Sequence, residues 1–245
     1  MSMISLGSIV IIGDSLSVTV VKGRPVTTPG GQLAFLLAAA GHEVHLEAIG
    51  GFALQYFRGA AAETKKGQEA AGILRRARAK NPKTVLVLLG TNDYADSPKA
   101  LQAGIAAIVD AFSLPGASPN LLFVGPPSFS VTVKGGALKT GTALVYEALA
   151  RSRRPVLDTR PLSSDIIAPA QGRSDDGIHF KKSGAVKYAQ RIFQVLKGRE
   201  AIKRSGRTGN IIEKVSLVIA VDAILGGPIS RVIEGLFSGK KGRQP

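Results

Sequence analysis

The sequence predicts an α/β fold in which helices pack on a parallel β-sheet. Short runs rich in Val, Ile and Leu alternate along the chain with longer segments whose apolar residues recur at helical spacing. Such runs are typical of strands buried on both faces, and the alternation implies right-handed crossovers between parallel strands. Aromatic residues make up only 5% of the chain. The core is therefore expected to be mainly aliphatic, which suits helices on a parallel sheet.

Each predicted strand is a short apolar run, and the five strands are residues 8–12, 43–49, 84–89, 120–124 and 155–157. Each predicted helix carries an apolar stripe, and the five helices are residues 31–40, 64–80, 98–112, 140–151 and 183–197. In a parallel sheet the binding site lies at the carboxyl ends of the strands. Gly13, Gly51 and Gly90 all follow predicted strands, which points to one functional edge.

The domain organisation predicted from composition has three parts. Residues 1–198 form a globular domain, 199–210 a basic linker and 211–245 an apolar helical tail with a basic end. Residues 211–237 fit a helical hairpin packed on the domain or a partner subunit, a membrane-surface element, or a re-entrant insertion. The first apolar run lacks a preceding cationic region, so it is interpreted as a strand and not as a signal peptide. The compartment is not predicted.

The net charge of +15 favours anionic surroundings such as lipid head groups or acidic glycans, although a generally basic surface explains it equally well. Nucleic acid is not an expected partner, because no basic stretch carries aromatic residues for stacking on bases. The chain has no cysteine, which excludes disulfides, thiolate metal sites and a cysteine nucleophile.

Two distant motifs suggest a serine hydrolase. Ser15, in Gly-Asp-Ser-Leu, directly follows the first predicted strand, and His179 ends Asp-Gly-Ile-His. A serine hydroxyl needs a base to take its proton, and that base needs a third group to orient it. Asp176 lies three residues before His179, a spacing that puts both side chains on one side of a helix-like turn, and Asp175 is the competing candidate for this role. Each motif alone also fits an ordinary turn.

The competing histidines are less well placed. His42 and His45 flank the start of a strand, whereas the site is expected at strand ends, so both are interpreted as structural or surface residues.

Two further blocks complete a family pattern. Ala48-Ile49-Gly50-Gly51 and Gly90-Thr91-Asn92-Asp93 follow the second and third predicted strands. The four blocks in this order resemble the SGNH, or GDSL, hydrolase superfamily over about residues 7–198. The resemblance implies a flavodoxin-like three-layer fold and a serine esterase without metal or cofactor. It also implies an oxyanion hole from the Ser15 N–H, Gly51 and Asn92, with Gly50 as the alternative to Gly51.

The neighbouring polar residues have simpler expected roles. Asp14 and Asp93 are expected to brace loops through backbone N–H groups. The loop at 125–129 is either a pocket wall or a rigid connection. Lys181 and Lys182 either make the site mouth cationic, for an anionic substrate, or cap the next helix.

The substrate stays open at this level. A carbohydrate O-acetyl ester is the first choice, and a lipid ester or lysophospholipid is the second. The rival from another class is a structural or anchoring protein of a larger assembly that keeps the hydrolase fold.

Overall fold

The computed structural model describes residues 7–58, 63–93, 97–113, 118–129, 131–132, 138–139 and 142–204. Its strands, in chain order, are β1 (Ser8–Gly13), β2 (Val20–Val21), β3 (Arg24–Pro25), β4 (Glu43–Ala48), β5 (Thr84–Leu88), β6 (Asn120–Val124), β7 (Val131–Thr132), β8 (Leu138–Lys139) and β9 (Val156–Leu157). The main sheet has the order β4–β1–β5–β6–β9, and every neighbouring pair is parallel. Counting only these five strands, the order is 2-1-3-4-5, which is flavodoxin-like.

The helices begin at recognisable capping residues. They are α1 (Pro29–Ala39), α2 (Lys65–Ala79), α3 (Pro98–Phe112), α4 (Thr142–Arg151), α5 (Arg160–Ser163) and α6 (Lys182–Arg204). The side chains of Thr28, Thr64 and Ser97 accept hydrogen bonds from backbone N–H groups in the first turns of α1, α2 and α3. Such caps satisfy donors that the helix itself leaves unpaired.

Helices cover both faces of the sheet. Val10, Ile12 and Val87 join one buried cluster with residues of α2 and α3. Ile9 and Ile11 point to the opposite face because side chains alternate along a strand, and they are equally buried. Helix α1 packs on β1 and β4. The buried leucines of α1, Leu33 and Leu37, do not belong to the cluster formed with α2 and α3. The predicted three-layer α/β fold is therefore confirmed.

The register of the sheet brings three strand ends to one level. Gly13 pairs with Ala48 on one side and with Leu88 on the other. The segments that follow β1, β4 and β5 consequently leave the sheet at the same edge. Gly104 of α3 supports this edge, because a Cβ there would lie only 2.0 Å from the Leu54 carbonyl oxygen. Close contact of this kind lets α3 hold the short 3-10 helix Leu54–Phe57 in place.

The predicted elements match the observed ones to within about two residues, with one exception. Helix α6 continues to Arg204 and not to residue 197, so residues 199–204 of the predicted linker are helical.

Hairpin β2–β3 was not predicted. Its turn residues Lys22 and Gly23 have φ values of 48° and 73°. Two successive positive φ values are the signature of the type I′ turn that joins short antiparallel strands. The Lys22-Gly23 pair at the turn is the sequence signal for this hairpin.

The chain divides into two compact units, Met1–Gln190 and Arg191–Pro245. The predicted tail, residues 211–245, lies outside the described residues. Within the part of the chain that the structure describes, no helix is both long and apolar enough to cross a membrane.

Candidate active site

Ser15 lies in a tight turn directly after β1. The Ser17 N–H donates to the Asp14 carbonyl oxygen at 2.9 Å, and the Leu16 N–H donates to Asp14 Oδ1 at 2.9 Å. Leu16 is buried under the turn, whereas Ser15 is only half-buried. The turn thus fixes the backbone while it leaves the Ser15 hydroxyl accessible at the carboxyl end of the sheet.

His179 is held by a second turn, far away in sequence. Asp176 Oδ1 accepts from the backbone N–H groups of Ile178 and His179, both at 2.9 Å. Asp176 Oδ2 lies 2.5 Å from His179 Nδ1, and His179 Nε2 lies 3.0 Å from Ser15 Oγ. The structure therefore brings together the three residues that the two motifs suggested, and it places the imidazole between the hydroxyl and the carboxylate.

The charge on Asp176 sets the proton positions in this chain. Partial burial raises the pKa of Asp176, but hydrogen bonds from the His179 ring and from the backbone N–H groups of His179 and Ile178 outweigh it and hold that pKa below its ordinary value. An ionised carboxylate can only accept, so Nδ1 carries the ring proton of neutral His179. Nε2 is then left free to accept the proton of the Ser15 hydroxyl.

The competing residues lie elsewhere. Asp175 has a side chain that is 90% exposed, and it faces Lys181 at 4.0 Å. His45 pairs with Glu43 Oε1 at 2.9 Å in the first half of β4. His42 precedes β4, at the opposite end of that strand from the segment that carries Gly50. Lys182 begins α6.

The glycines and the asparagine predicted for the oxyanion hole follow β4 and β5, at the same edge of the sheet as Ser15. Gly50 lines the same cavity as Ser15 and His179. Gly51 has a φ of 69°, a conformation that strains residues with a Cβ atom. Asn92 Nδ2 donates to the Phe52 carbonyl oxygen at 2.8 Å and lies 3.5 Å from Asp14 Oδ2. One amide hydrogen of Asn92 is therefore committed, and the other has only a long contact.

Two buried aspartates brace these loops, as predicted. Asp14 accepts from Leu16 N–H, and Asp93 accepts from the N–H groups of Leu54 and Gln55 at 3.1 and 3.4 Å. Both carboxyl groups are completely buried. Burial raises the pKa of Asp14 to about 6, because its hydrogen bonds from Leu16 and Thr91 only partly offset the loss of water.

Arg173 is a supporting residue that the sequence did not reveal. Its side chain is completely buried, and it donates to the carbonyl oxygens of Ile166, Ser128 and Ile178. Its guanidinium also stacks 3.9 Å from the Phe180 ring centre. Burial lowers the pKa of Arg173 to about 10. The side chain thus ties the turn that carries His179 to the neighbouring loops.

A cavity of about 240 Å³ opens beside Ser15 and His179. Its remaining wall is mostly apolar and comes largely from the segment between β1 and α1. None of residues 125–129 lines it. That loop is instead fastened to the body of the domain, since Ser128 N–H donates to Ser163 Oγ at 2.9 Å. Among the described residues, no group of three or more His, Asp or Glu side chains could hold a metal ion.

Comparison with known proteins identifies the family of this chain. A model of the GDSL-like lipase/acylhydrolase family matches residues 11–186, which is more than half of the chain. The chain belongs to this GDSL-like family. No curated protein sequence matches it significantly.

Solved structures share the fold of this GDSL-like chain at low identity. A carbohydrate acetylesterase family member from Sinorhizobium meliloti has a TM-score of 0.56 and 16% identity over 78% of this chain and 97% of its own. The M. smegmatis aryl esterase has a TM-score of 0.52 and 19% identity over 78% of this chain and 98% of its own. A lipase/acylhydrolase from Enterococcus faecalis has a TM-score of 0.55 and 16% identity over 78% of this chain and 96% of its own. At such identities the likeness establishes the fold.

The buried Asp14 of this GDSL-like protein makes stability depend on pH. Its folded pKa of about 6 exceeds the ordinary value of 3.8. The folded state therefore holds the proton of the Asp14 carboxyl group more tightly than the unfolded state does. The resulting stabilisation is full below about pH 4 and is lost as the pH rises through about 6. Relative to Asp14→Asn, the wild type should lose roughly 2–3 kcal/mol of unfolding free energy between pH 4 and pH 7.

Urea unfolding of both proteins at several pH values measures this difference. If the difference in unfolding free energy between wild type and Asp14→Asn stays constant from pH 4 to pH 7, Asp14 does not titrate as described.

Proposed function

We propose that this protein is a serine-dependent carboxylic ester hydrolase, with Ser15 as nucleophile, His179 as general base and Asp176 as the group that orients His179. One observation carries the proposal. The His179 ring contacts Ser15 Oγ at 3.0 Å through one nitrogen and Asp176 Oδ2 at 2.5 Å through the other. This is the arrangement that activates a serine hydroxyl, and it is recognised by geometry on unrelated folds.

The reaction proceeds in two halves. Ser15 Oγ attacks the ester carbonyl carbon while its proton passes to His179 Nε2, which gives a tetrahedral intermediate. When that intermediate collapses, His179 returns the proton to the departing alcohol, and the acyl group stays on Ser15 Oγ. Water, deprotonated by His179, then attacks the acyl-enzyme, and collapse of the second tetrahedral intermediate returns that proton to Ser15 Oγ and releases the carboxylic acid. Asp176 stays ionised throughout and stabilises the imidazolium.

The oxyanion is assigned to three donors. They are the backbone N–H of Ser15, the N–H of Gly51 and the side-chain amide of Asn92, with Gly50 as the alternative to Gly51. The bond from Asn92 to the Phe52 carbonyl supports this role, because it fixes the amide and leaves its second hydrogen without a short partner. Donors that are held in place before the charge develops need not reorganise in the transition state.

Two substrate classes are candidates. A carbohydrate O-acetyl ester is supported by the likeness in fold to the Sinorhizobium meliloti carbohydrate acetylesterase family member. A lipid ester or lysophospholipid is favoured by the apolar wall of the cavity next to Ser15. The basic composition suits an anionic substrate in either class. Residues 211–237 are proposed to contact a protein partner or a membrane surface.

The rival proposal is a structural or anchoring protein that retains the fold without activity. The close approach of Ser15, His179 and Asp176 favours an active enzyme. A protein that had only kept the fold would not need to keep three such side chains in register.

The first test removes the nucleophile. Ser15→Ala should lower kcat for 4-nitrophenyl ester hydrolysis by at least about 10⁴-fold, because no other group can form the acyl-enzyme. The matched control is Ser164→Ala, which removes an exposed hydroxyl that bonds only to the Pro161 carbonyl oxygen. The control should keep wild-type turnover. Wild-type turnover in Ser15→Ala would refute the proposed mechanism.

The second test concerns the oxyanion hole. Asn92→Ala should lower kcat by about 10²–10³-fold and change KM much less, because the amide acts on charge that develops only in the transition state. Asn120→Ala, at the start of β6 on the opposite edge of the sheet, is the control and should be unaffected. Steady-state kinetics on variants shown to be folded by circular dichroism decide the matter. An unchanged kcat in a folded Asn92→Ala protein would remove Asn92 from the oxyanion hole.

A further inference from the structure

The cavity beside Ser15 is walled by the segment that contains hairpin β2–β3. Val18, Val21 and Val26 line it, together with Leu16 and Phe180. This wall presents aliphatic and aromatic carbon to whatever group of the ester enters the cavity. Apolar groups are favoured in such surroundings, whereas the hydroxyl groups of a sugar would lose their hydrogen bonds to water.

The two exposed valines of β2 face different ways. Val21 lines the cavity, whereas Val20 does not, although 54% of Val20 and 49% of Val21 are exposed. Successive side chains on a strand point to opposite faces, which explains the difference. The hairpin therefore offers a matched pair of positions, one facing the substrate and one facing away.

The size of the cavity sets the size of the group that fills it. An apolar protein cavity of about 150 Å³ is large enough to bind benzene. The cavity beside Ser15 measures about 240 Å³. By that comparison it holds a phenyl ring or an unbranched chain of about six to eight carbon atoms. The single methyl group of an acetyl ester would leave most of this space without apolar contact.

Ser15 lines the cavity, and His179 borders both the cavity and solvent, since 44% of its side chain is exposed. The departing alcohol takes its proton from His179 and leaves the site, whereas the acyl group stays bonded to Ser15 Oγ. The acyl group is therefore the part of the ester that stays next to the apolar wall of the cavity.

Building on the esterase function proposed above, we propose that this cavity is an acyl-binding pocket for apolar acyl groups of about six to eight carbon atoms. Val21 and Val26 determine its preference for chain length. The substrate class is therefore a medium-chain or aryl acyl ester, and acetyl esters are poorer substrates of the same site.

The test measures kcat/KM for 4-nitrophenyl esters from acetate to dodecanoate. For the wild type, kcat/KM should rise about three- to fourfold per added methylene group, reach a maximum between hexanoate and octanoate, and then fall. Val21→Asp should lower kcat/KM for hexanoate at least about tenfold and for acetate less than about threefold. Val26→Phe, which shortens the pocket, should move the maximum to shorter chains.

Val20→Asp is the matched control. It adds the same charge to the same strand on the face away from the cavity, so it should change kcat/KM for hexanoate and for acetate by less than about twofold. A second series of acetate esters, from methyl to octyl alcohol, should show no comparable rise, because the cavity holds the acyl group and not the alcohol.

The outcomes separate this inference from the proposed function. Highest activity on acetate, equal effects of Val21→Asp and Val20→Asp, or dependence on alcohol length in place of acyl length would each overturn the acyl pocket while leaving the esterase intact. A wild-type protein that hydrolyses none of these esters would overturn the proposed function itself.

Discussion

The candidate site depends on the parallel register of β4, β1 and β5. Gly13 pairs with both Ala48 and Leu88, so the three strands stop at one level. Ser15, the two glycines and Asn92 therefore follow strands that end at one edge of the sheet. Sites at the carboxyl ends of parallel strands are typical of open α/β sheets. The rigid sheet fixes one half of the site, and a separate turn must bring the other half to it.

That second half is held by a buried cation and a carboxylate. Arg173 ties the turn to two neighbouring segments, because it donates to the carbonyl oxygens of Ile178, Ile166 and Ser128, and Asp176 accepts from two backbone N–H groups of the turn. A buried guanidinium is costly to leave unpaired, so these three carbonyl partners favour one loop conformation. His179 is thereby presented to Ser15 with its ring already oriented. Such preorganisation suits the general-base role proposed for His179.

The sequence predicted the parts that depend on local pattern. The apolar runs located the main strands, and the four motif blocks located Ser15, Asn92, Asp176 and His179 at the correct edge. Arg173 and hairpin β2–β3 are among the features that escaped prediction, each for a physical reason. Arg173 resembles any surface arginine, because only the packed fold removes it from water. Hairpin β2–β3 has strands of two residues, too short for an alternating pattern, and only its Lys22-Gly23 turn signals it.

The central claim is that Ser15 alone is activated as a nucleophile. The most direct measurement is peptide mapping by mass spectrometry after the wild-type protein reacts with a fluorophosphonate probe, which modifies activated serine hydroxyls. A single adduct on the peptide that contains Ser15, prevented by prior incubation with an ester substrate, is the predicted result. An adduct on a different serine with Ser15 unmodified, or no adduct on a folded protein, would contradict the account.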